Sequence, residues 1–175
     1  MIEEKNGIMQ VVEKILIFFL LLISFFVNYY YGSIGVFPID TFAHFDSGYR
    51  IINGSVPFKD YWTITGPFID FIQALFFKIL GLKWSSLVYH ASLFNVIVSG
   101  FFFLVLIRLN LNIYISFIFS ISVAILCYPV AGTPFTYQHS YILSLVSILT
   151  FIAAIKSEDL IFWFFLPILM VLSFL

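Results

Sequence analysis

The chain has 175 residues, of which 62% are hydrophobic and only 10% are charged, with a formal net charge of −1. A soluble domain carries roughly a quarter of its residues as charged side chains, so this composition excludes an ordinary soluble protein and predicts a chain solvated by lipid. The balanced charge offers no basic stripe, and we expect no nucleic-acid partner. The single cysteine, Cys127, excludes an intramolecular disulfide and a thiolate metal cluster.

The first apolar segment, 15–31, follows a short charged N-terminus. No small-residue cleavage site comes after it, which favours an uncleaved signal anchor over a removed signal peptide. The segment runs instead into Asn28-Tyr29-Tyr30-Tyr31, and tyrosine is typical of the headgroup layer. We therefore expect an integral membrane protein with its N-terminus in the cytoplasm.

Further apolar segments predict a polytopic protein. A helix crosses the hydrocarbon core of ~30 Å with about 20 mostly apolar residues, and a chain in lipid at these lengths must be helical to satisfy its backbone. The candidate spans are 15–31, 87–107, 113–131, 141–155 and 160–175. The fourth is short and is expected to borrow flanking residues at both ends. The predicted fold class is all-α, with about five transmembrane helices in one membrane domain over residues 1–175.

Segment 67–81 differs from these spans because it is short and carries Asp70, Gln73 and Lys78 before Gly81. On a period of about 3.6 residues, positions 70, 73, 74, 77 and 78 fall on one side and give a partly polar face. This pattern favours a helix that lies along the interface over one that crosses the membrane. The outer loop then covers residues 32–86 with juxtamembrane, interfacial helices.

Basic residues do not decide this topology. Four basic residues fall on each side of the membrane whether 67–81 lies at the interface or spans it. The positive-inside rule therefore does not favour either arrangement. Loop 32–66 is on the outer side in both arrangements when the N-terminus is inside. The chain stops within an apolar segment at Leu175, and we expect it to be the N-terminal part of a longer protein.

Loop 32–66 concentrates polar chemistry beside the membrane. It holds Asp40, His44, Asp46, Arg50, Lys59 and Asp60. Charges near a bilayer are costly unless they are solvated or functional, so this loop is the predicted site. If 40–52 is helical, Asp40 and His44 share a face, and Asp46 and Arg50 form a second pair suited to a salt bridge. Asn53-Gly54 is expected to end that helix.

Purely structural interpretations of these residues are also compatible with the sequence. Asp40 follows Pro38-Ile39 and can serve as a helix cap, and a lone His44 is more often a packed or interfacial histidine than a base. Asp60-Tyr61-Trp62 can be only an interface anchor. Asp40, His44 and Asp46 offer the ligand types of a carboxylate–imidazole site for a divalent metal, but this combination is not specific to metal binding, and we predict no cofactor.

Residues 40–81 also carry a family pattern. Asp40 is followed by Arg50 and Gly54, then by Val56-Pro57-Phe58-Lys59-Asp60-Tyr61-Trp62, Gly66-Pro67 and the helix ending Ala74-Leu75-Phe76-Phe77-Lys78-Ile79-Leu80-Gly81. This stretch resembles the first outer loop of GT-C-fold membrane glycosyltransferases, in particular glycosyltransferase family 39 and the related protein O-mannosyltransferase and aminoarabinose transferase group. The chain departs from the pattern at Thr41, where those proteins have a second acidic residue, and at Thr65, where they have a lysine.

The resemblance implies an enzyme that transfers a sugar from a polyprenyl-phosphate donor to a lipid or protein acceptor at the outer face. Asp40 takes the position of the catalytic carboxylate, and a base there would remove the acceptor's proton. Arg50 and Lys59 are the candidate phosphate contacts, with His44 and Asp60 as further substrate-binding candidates. In the second outer loop, 132–140, relatives often place another aspartate, and this chain offers Gln138 and His139.

The alternative class is a non-catalytic membrane protein, either a transporter fragment or a subunit of a membrane complex. Transporters place polar or broken helices at mid-membrane, and polar content in these spans is slight. It consists of Ser24, His90, Asn95, Ser99 and the Pro129 and Pro167 breaks. We expect His90 and Asn95 to lie near a helix end or to pack between helices.

Overall fold

The computed structural model describes residues 2–36, 42–63, 66–126, 132–157 and 159–174. Within these ranges the chain is helical and contains no β-strand. The helices are α1 (Ile2–Ile34), α2 (Ala43–Ile52), α3 (Phe68–Leu80), α4 (Trp84–Arg108), α5 (Ile113–Leu126), α6 (Thr136–Ser157) and α7 (Leu160–Phe174).

Three of these helices are long and apolar enough to cross a membrane: Gln10–Ile34 within α1, Trp84–Arg108 and Thr136–Ser157. The last exceeds the predicted segment 141–155 at both ends, which confirms that this span borrows its flanks. The described parts of α5 and α7 are apolar but shorter, with 14 and 15 residues. The protein is thus membrane-embedded and helical, because only lipid can solvate apolar surfaces of this extent.

Helix α4 is the centre of the bundle. Its Phe103 is fully buried with Leu20 of α1 and Ala124 of α5. On its other side, Val98 and Phe102 pack against Val146 of α6. The central position explains why α4 has buried residues around its whole circumference, which is typical of a helix surrounded by other helices.

One polar side chain ties this centre together. Asn95 of α4 is completely buried, and its amide nitrogen donates to the carbonyl oxygens of Ser24 in α1 (3.0 Å) and Ala124 in α5 (2.8 Å). Hydrogen bonds between helices are a common means of association in lipid. The expectation that Asn95 packs between helices is confirmed.

Helix α3 turns its polar face inward. Asp70 and Gln73 are 1% and 0% exposed, whereas Phe71, Leu75 and Ile79 are each more than half exposed. The sequence pattern correctly separates a polar from an apolar face, but the polar face contacts α2 and α4. The apolar face is therefore the one left for lipid.

The connections at one end of the bundle bring three helices together. The Trp84 indole at the start of α4 donates to the carbonyl of Gly32 in α1 (2.8 Å), and the Asn28 amide donates to the carbonyl of Gly132 (3.2 Å). These bonds place the first turn of α6 beside the end of α1 and the start of α4. Helices α2 and α3 cover the same end.

Two local expectations can be compared with this end of the molecule. Helix α2 ends at Ile52, and Gly54 has φ +91°, which confirms the predicted stop at Asn53-Gly54. The interpretation of 132–140 as a loop is wrong in its second half, since α6 begins at Thr136. Gln138 and His139 are therefore helical residues, and His139 is buried.

Candidate functional site

A cleft of about 570 Å³ opens at this end of the bundle. Its volume lies within the range of about 300–1,000 Å³ that is typical of small-molecule sites. Its walls come from α2, the 61–63 segment, α3 and the start of α6. The lining residues are Ala43, His44, Asp46, Ser47, Arg50, Tyr61, Trp62, Thr63, Asp70, Phe135, Thr136 and Tyr137.

A carboxylate and an imidazole meet at the base of the cleft. The Nδ1 atom of His44 lies 2.7 Å from Oδ1 of Asp70, and its Nε2 atom lies 3.1 Å from the hydroxyl of Thr136. His44 and Asp70 are 7% and 1% exposed. The pair joins α2 to α3, and Thr136 brings in α6. A buried charge is retained only when it is paired and hydrogen-bonded. Here α2 supplies His44 and α3 supplies Asp70.

The second carboxylate oxygen of Asp70 differs from the first in its hydrogen bonding. This Oδ2 atom is buried and has no hydrogen-bond partner among the described residues, although Asp70 lines the cleft. Buried polar atoms are nearly always hydrogen-bonded in folded proteins. An acceptor atom in this position is suited to a ligand hydroxyl or amide.

Arg50 and Asp46 form the charged rim of the cleft. Arg50 Nε donates to Asp46 Oδ2 at 2.7 Å, which confirms the predicted pair, and both side chains are about half exposed. The hydrogen bond and the charge of Asp46 raise the pKa of Arg50, so the guanidinium is a permanent cation. Its Cζ atom lies 5.5 Å from the centre of the Tyr61 ring, a cation–π contact.

Aromatic rings complete the walls. Trp62 and Tyr137 both line the cleft and are 80% and 53% exposed. Tyr61 is more enclosed: burial raises the pKa of its phenol, and the negative charge of Asp70 raises it further. Flat apolar rings beside a few aimed polar groups are typical of sites that bind small polar molecules.

The predicted site residues are distributed unevenly around this cleft. His44 and Arg50 line it, whereas Lys59 and Asp60 lie on the preceding turn, outside the lining. The carboxylate of Asp60 accepts the backbone N–H of Val56 at 2.8 Å and so stabilises that turn. Asp40, the predicted catalytic residue, falls outside the described residues, as do Thr41 and Thr65.

The sequence missed Asp70 as a site residue. The sequence pattern places Asp70 on the polar face of an interfacial helix, and the four-residue spacing predicts that His44 shares a face with Asp40. The observed partner of His44 is Asp70, 26 residues away. The available signal was an acidic residue in a mostly apolar helix beside the membrane, which is costly unless it serves a function.

A second polar layer lies deeper, behind the cleft. Gln73 Oε1 and His90 Nδ1 are 2.9 Å apart, and the ring of His90 lies 5.2 Å from that of Phe76 and 5.7 Å from that of His139. Gln73, His90 and His139 are all at most 2% exposed. This agrees with the expected packing of His90 between helices.

Metal-binding side chains do not come together in the described ranges: no three His, Cys, Asp or Glu residues there are arranged to hold an ion. The metal site considered at Asp40, His44 and Asp46 includes Asp40, which lies outside those ranges.

The fold and the cleft define a class, a helical membrane protein with a cleft at one end of its bundle that charged, polar and aromatic side chains line. Comparison with protein-family models, with curated proteins and with solved structures found no match in any of the three.

Proposed function

We propose that the chain is a GT-C-type membrane glycosyltransferase, or the N-terminal portion of one. In this proposal it transfers a sugar from a polyprenyl-phosphate donor to a lipid or protein acceptor at the outer face of a bacterial plasma membrane. The observation that supports it most is the cleft with its buried His44–Asp70 pair, situated at the end of apolar helices. Nucleic acid has no place in this reaction.

The position of the cleft suits a membrane-borne donor. A polyprenyl chain stays in lipid, so its phosphate and sugar emerge at the end of the spanning helices. Beside the cleft, α3 exposes Phe71, Leu75 and Ile79, which lipid chains can cover. A head group at this level is then within reach of carboxylates, an imidazole and a guanidinium without leaving the bilayer.

The roles of individual residues follow the chemistry of the transfer. The acceptor hydroxyl attacks C1 of the sugar and loses a proton, which requires a base; the resemblance assigns Asp40 to the reacting centre. The departing lipid phosphate gains charge and requires a cation or an N–H donor. Arg50 is the candidate on the cleft rim, while Lys59 and Asp60 would need the 56–60 turn to move in order to take part.

The GT-C architecture in this proposal has about five spans. α1, α4 and α6 supply three of them by length. α5 and α7 supply the others with the help of flanking residues, because their described parts of 14 and 15 residues are shorter than the hydrocarbon core. α2 and α3 are the juxtamembrane helices of the outer loop, and the N-terminus is cytoplasmic.

The test is donor consumption in membrane vesicles that contain the full chain and endogenous acceptors. A radiolabelled polyprenyl-phosphate sugar is supplied, and the release of polyprenyl phosphate is followed together with the labelled product. Asp40→Asn should lower the rate by about 100-fold or more, the loss expected when a catalytic side chain is removed from the reacting centre. Lys156→Gln, at the opposite end of α6, should leave it unchanged.

Two results would reject the proposal in different ways. If the wild-type chain does not increase donor consumption above that of vesicles without it, the transferase function is wrong. The non-catalytic alternative would then stand. If Asp40→Asn turns over at the wild-type rate, the function survives and the role of Asp40 does not.

A further inference from the structure

The His44 ring is held in one orientation by partners on both of its nitrogens. We assign the proton between Asp70 and His44 to Nδ1, because carboxylate oxygens accept hydrogen bonds and the two atoms are 2.7 Å apart. The other nitrogen, Nε2, lies 3.1 Å from the hydroxyl of Thr136, which also lines the cleft. In the neutral ring, Nε2 carries a lone pair that accepts a hydroxyl proton.

The second carboxylate oxygen of Asp70 gives the His44–Asp70 pair an acceptor position that the described residues do not use. The pair can therefore do more than link two helices. Asp70 is 1% exposed, lines the cleft, and leaves Oδ2 without a partner among the described residues. A ligand that donates a hydroxyl proton would satisfy it. A carboxylate with one oxygen on an imidazole and the other unoccupied can therefore orient the ring and hold a ligand at the same time.

The charges of the lining select the kind of ligand. The charged groups that line the cleft in the described ranges are Asp46, Arg50 and Asp70, together with the titratable His44 and Tyr61. Arg50 is engaged by Asp46, which leaves the charge of Asp70 without a fixed cation. This corner repels a free anion and favours a neutral molecule with hydroxyl groups, and the rings of Trp62 and Tyr137 offer apolar faces for the C–H side of a sugar.

We infer that His44, oriented by Asp70, is the base in place of Asp40 and takes the proton from a neutral carbohydrate hydroxyl that serves as the acceptor in the transfer. This inference rests on the proposed function and makes His44 a catalytic residue and Asp70 a positioning residue. It also identifies the acceptor as a sugar, such as the saccharide of a glycolipid, in preference to an anionic group.

The step balances in atoms and charge. The acceptor hydroxyl displaces the Thr136 hydroxyl from Nε2 of His44, and its proton passes to this nitrogen as the acceptor oxygen forms a bond to C1 of the donor sugar. The bond between C1 and the phosphate oxygen breaks, and the electron pair leaves with the polyprenyl phosphate, which gains one negative charge. The imidazolium formed beside Asp70 then returns its proton to water through the open cleft.

The first experiment measures binding and does not depend on turnover. The protein is labelled with ¹⁵N-histidine in lipid nanodiscs, where its three histidines give few imidazole signals, and His90→Gln and His139→Gln assign them. Methyl hexopyranosides should shift Nε2 of His44 in the wild-type protein, and inorganic phosphate should not. A shift with phosphate but not with glycosides, or with neither, would overturn the inference.

The second experiment measures transfer in the vesicle assay described above. His44→Gln and Asp70→Asn should each lower the rate by about 100-fold or more, since even an isosteric change of the orienting carboxylate in a His–Asp pair has large effects on turnover. Asp70→Asn should also alter the ¹⁵N signature of the His44 ring. Lys78→Gln, which removes an exposed charge from the same helix, is the matched control.

The outcomes separate this inference from the proposed function. If His44→Gln retains the wild-type rate while Asp40→Asn abolishes it, the transferase stands and His44 is not the base. If the wild-type chain consumes no donor, the proposed function fails, and with it the catalytic role inferred for His44.

Discussion

Asn95 shows what one buried polar residue contributes to this bundle. Its amide donates to carbonyls of α1 and α5 from the centre of α4, and it is fully buried. Interhelical hydrogen bonds in lipid contribute about 0.6 kcal/mol on average and about 1.7 kcal/mol at most. Asn95→Ala should therefore lower the free energy of unfolding by about 1–2 kcal/mol, measured by equilibrium unfolding in mixed micelles.

Asn53→Ala is the matched control for that substitution. Asn53 is exposed after the end of α2, and its amide donates only to the carbonyl of Tyr49 at 2.8 Å. Replacing it should change the unfolding free energy by less than about 0.5 kcal/mol, as surface substitutions usually do. Equal losses in the two variants would show that Asn95 does not link the helices as described.

At the same scale, His44 is a site residue that the sequence predicts, whereas its partner is not predictable from the sequence. Its presence in a charged loop beside the membrane identified it as a candidate, and the structure places it in the cleft. Its partner was not predictable, because spacing rules relate residues three or four apart on one helix. Asp70 lies on a different helix, and only the packing of α2 against α3 brings the two together.

At the scale of elements, α3 carries a prediction about what surrounds it. Phe71, Leu75 and Ile79 form its exposed face, and an apolar face without protein cover belongs in lipid. A spin label at Leu75→Cys, in a Cys127→Ser background, should be relaxed more by oxygen, which concentrates in lipid, than by a water-soluble nickel chelate. A label at the exposed Lys83→Cys should show the reverse, and greater nickel access at position 75 would contradict the orientation.

The connection into α6 carries a second prediction at this scale. Gly132 has φ +59°, and a Cβ atom on it would lie 2.1 Å from the backbone nitrogen of Gly32. Gly132→Ala must push the connection away from α1, so the variant should lose more than about 1 kcal/mol of stability. Gly35→Ala meets no atom within 4 Å and should be neutral. Thermal unfolding in nanodiscs compares them, and equal midpoints would contradict the close approach.

The elements also show why boundaries were easier to predict than orientations. The predicted segment 67–81 corresponds to α3 (Phe68–Leu80), because the apolar run and Gly81 fix the length of the helix. Periodicity reveals that a helix has a polar face, but it does not reveal whether water or protein covers that face. Asp70 and Gln73 face protein, because α2 and α4 supply His44 and His90 as partners.

At the scale of the whole molecule, composition was sufficient for the class and insufficient for the cleft. A chain that is 62% hydrophobic has to be solvated by lipid, and the structure has three helices suited to that. The cleft combines α2, a loop, α3 and α6, so no single stretch of sequence contains it. Thr136 and Tyr137, for example, are separated from the loop 32–66 by three further helices.

The last prediction concerns the two ends of the bundle. Trp62 lines the cleft near the first turn of α6, and Lys156 lies in the last turn of the same helix. Because Thr136–Ser157 is long enough to cross the membrane, we expect these positions to lie on opposite faces. Trp62→Cys and Lys156→Cys, each in a Cys127→Ser background, are treated in intact cells with a membrane-impermeant maleimide. With the N-terminus in the cytoplasm, position 62 should react at once and position 156 only after lysis. The reverse pattern would invert the orientation while preserving the bundle, and equal reaction of both in intact cells would show that α6 does not cross.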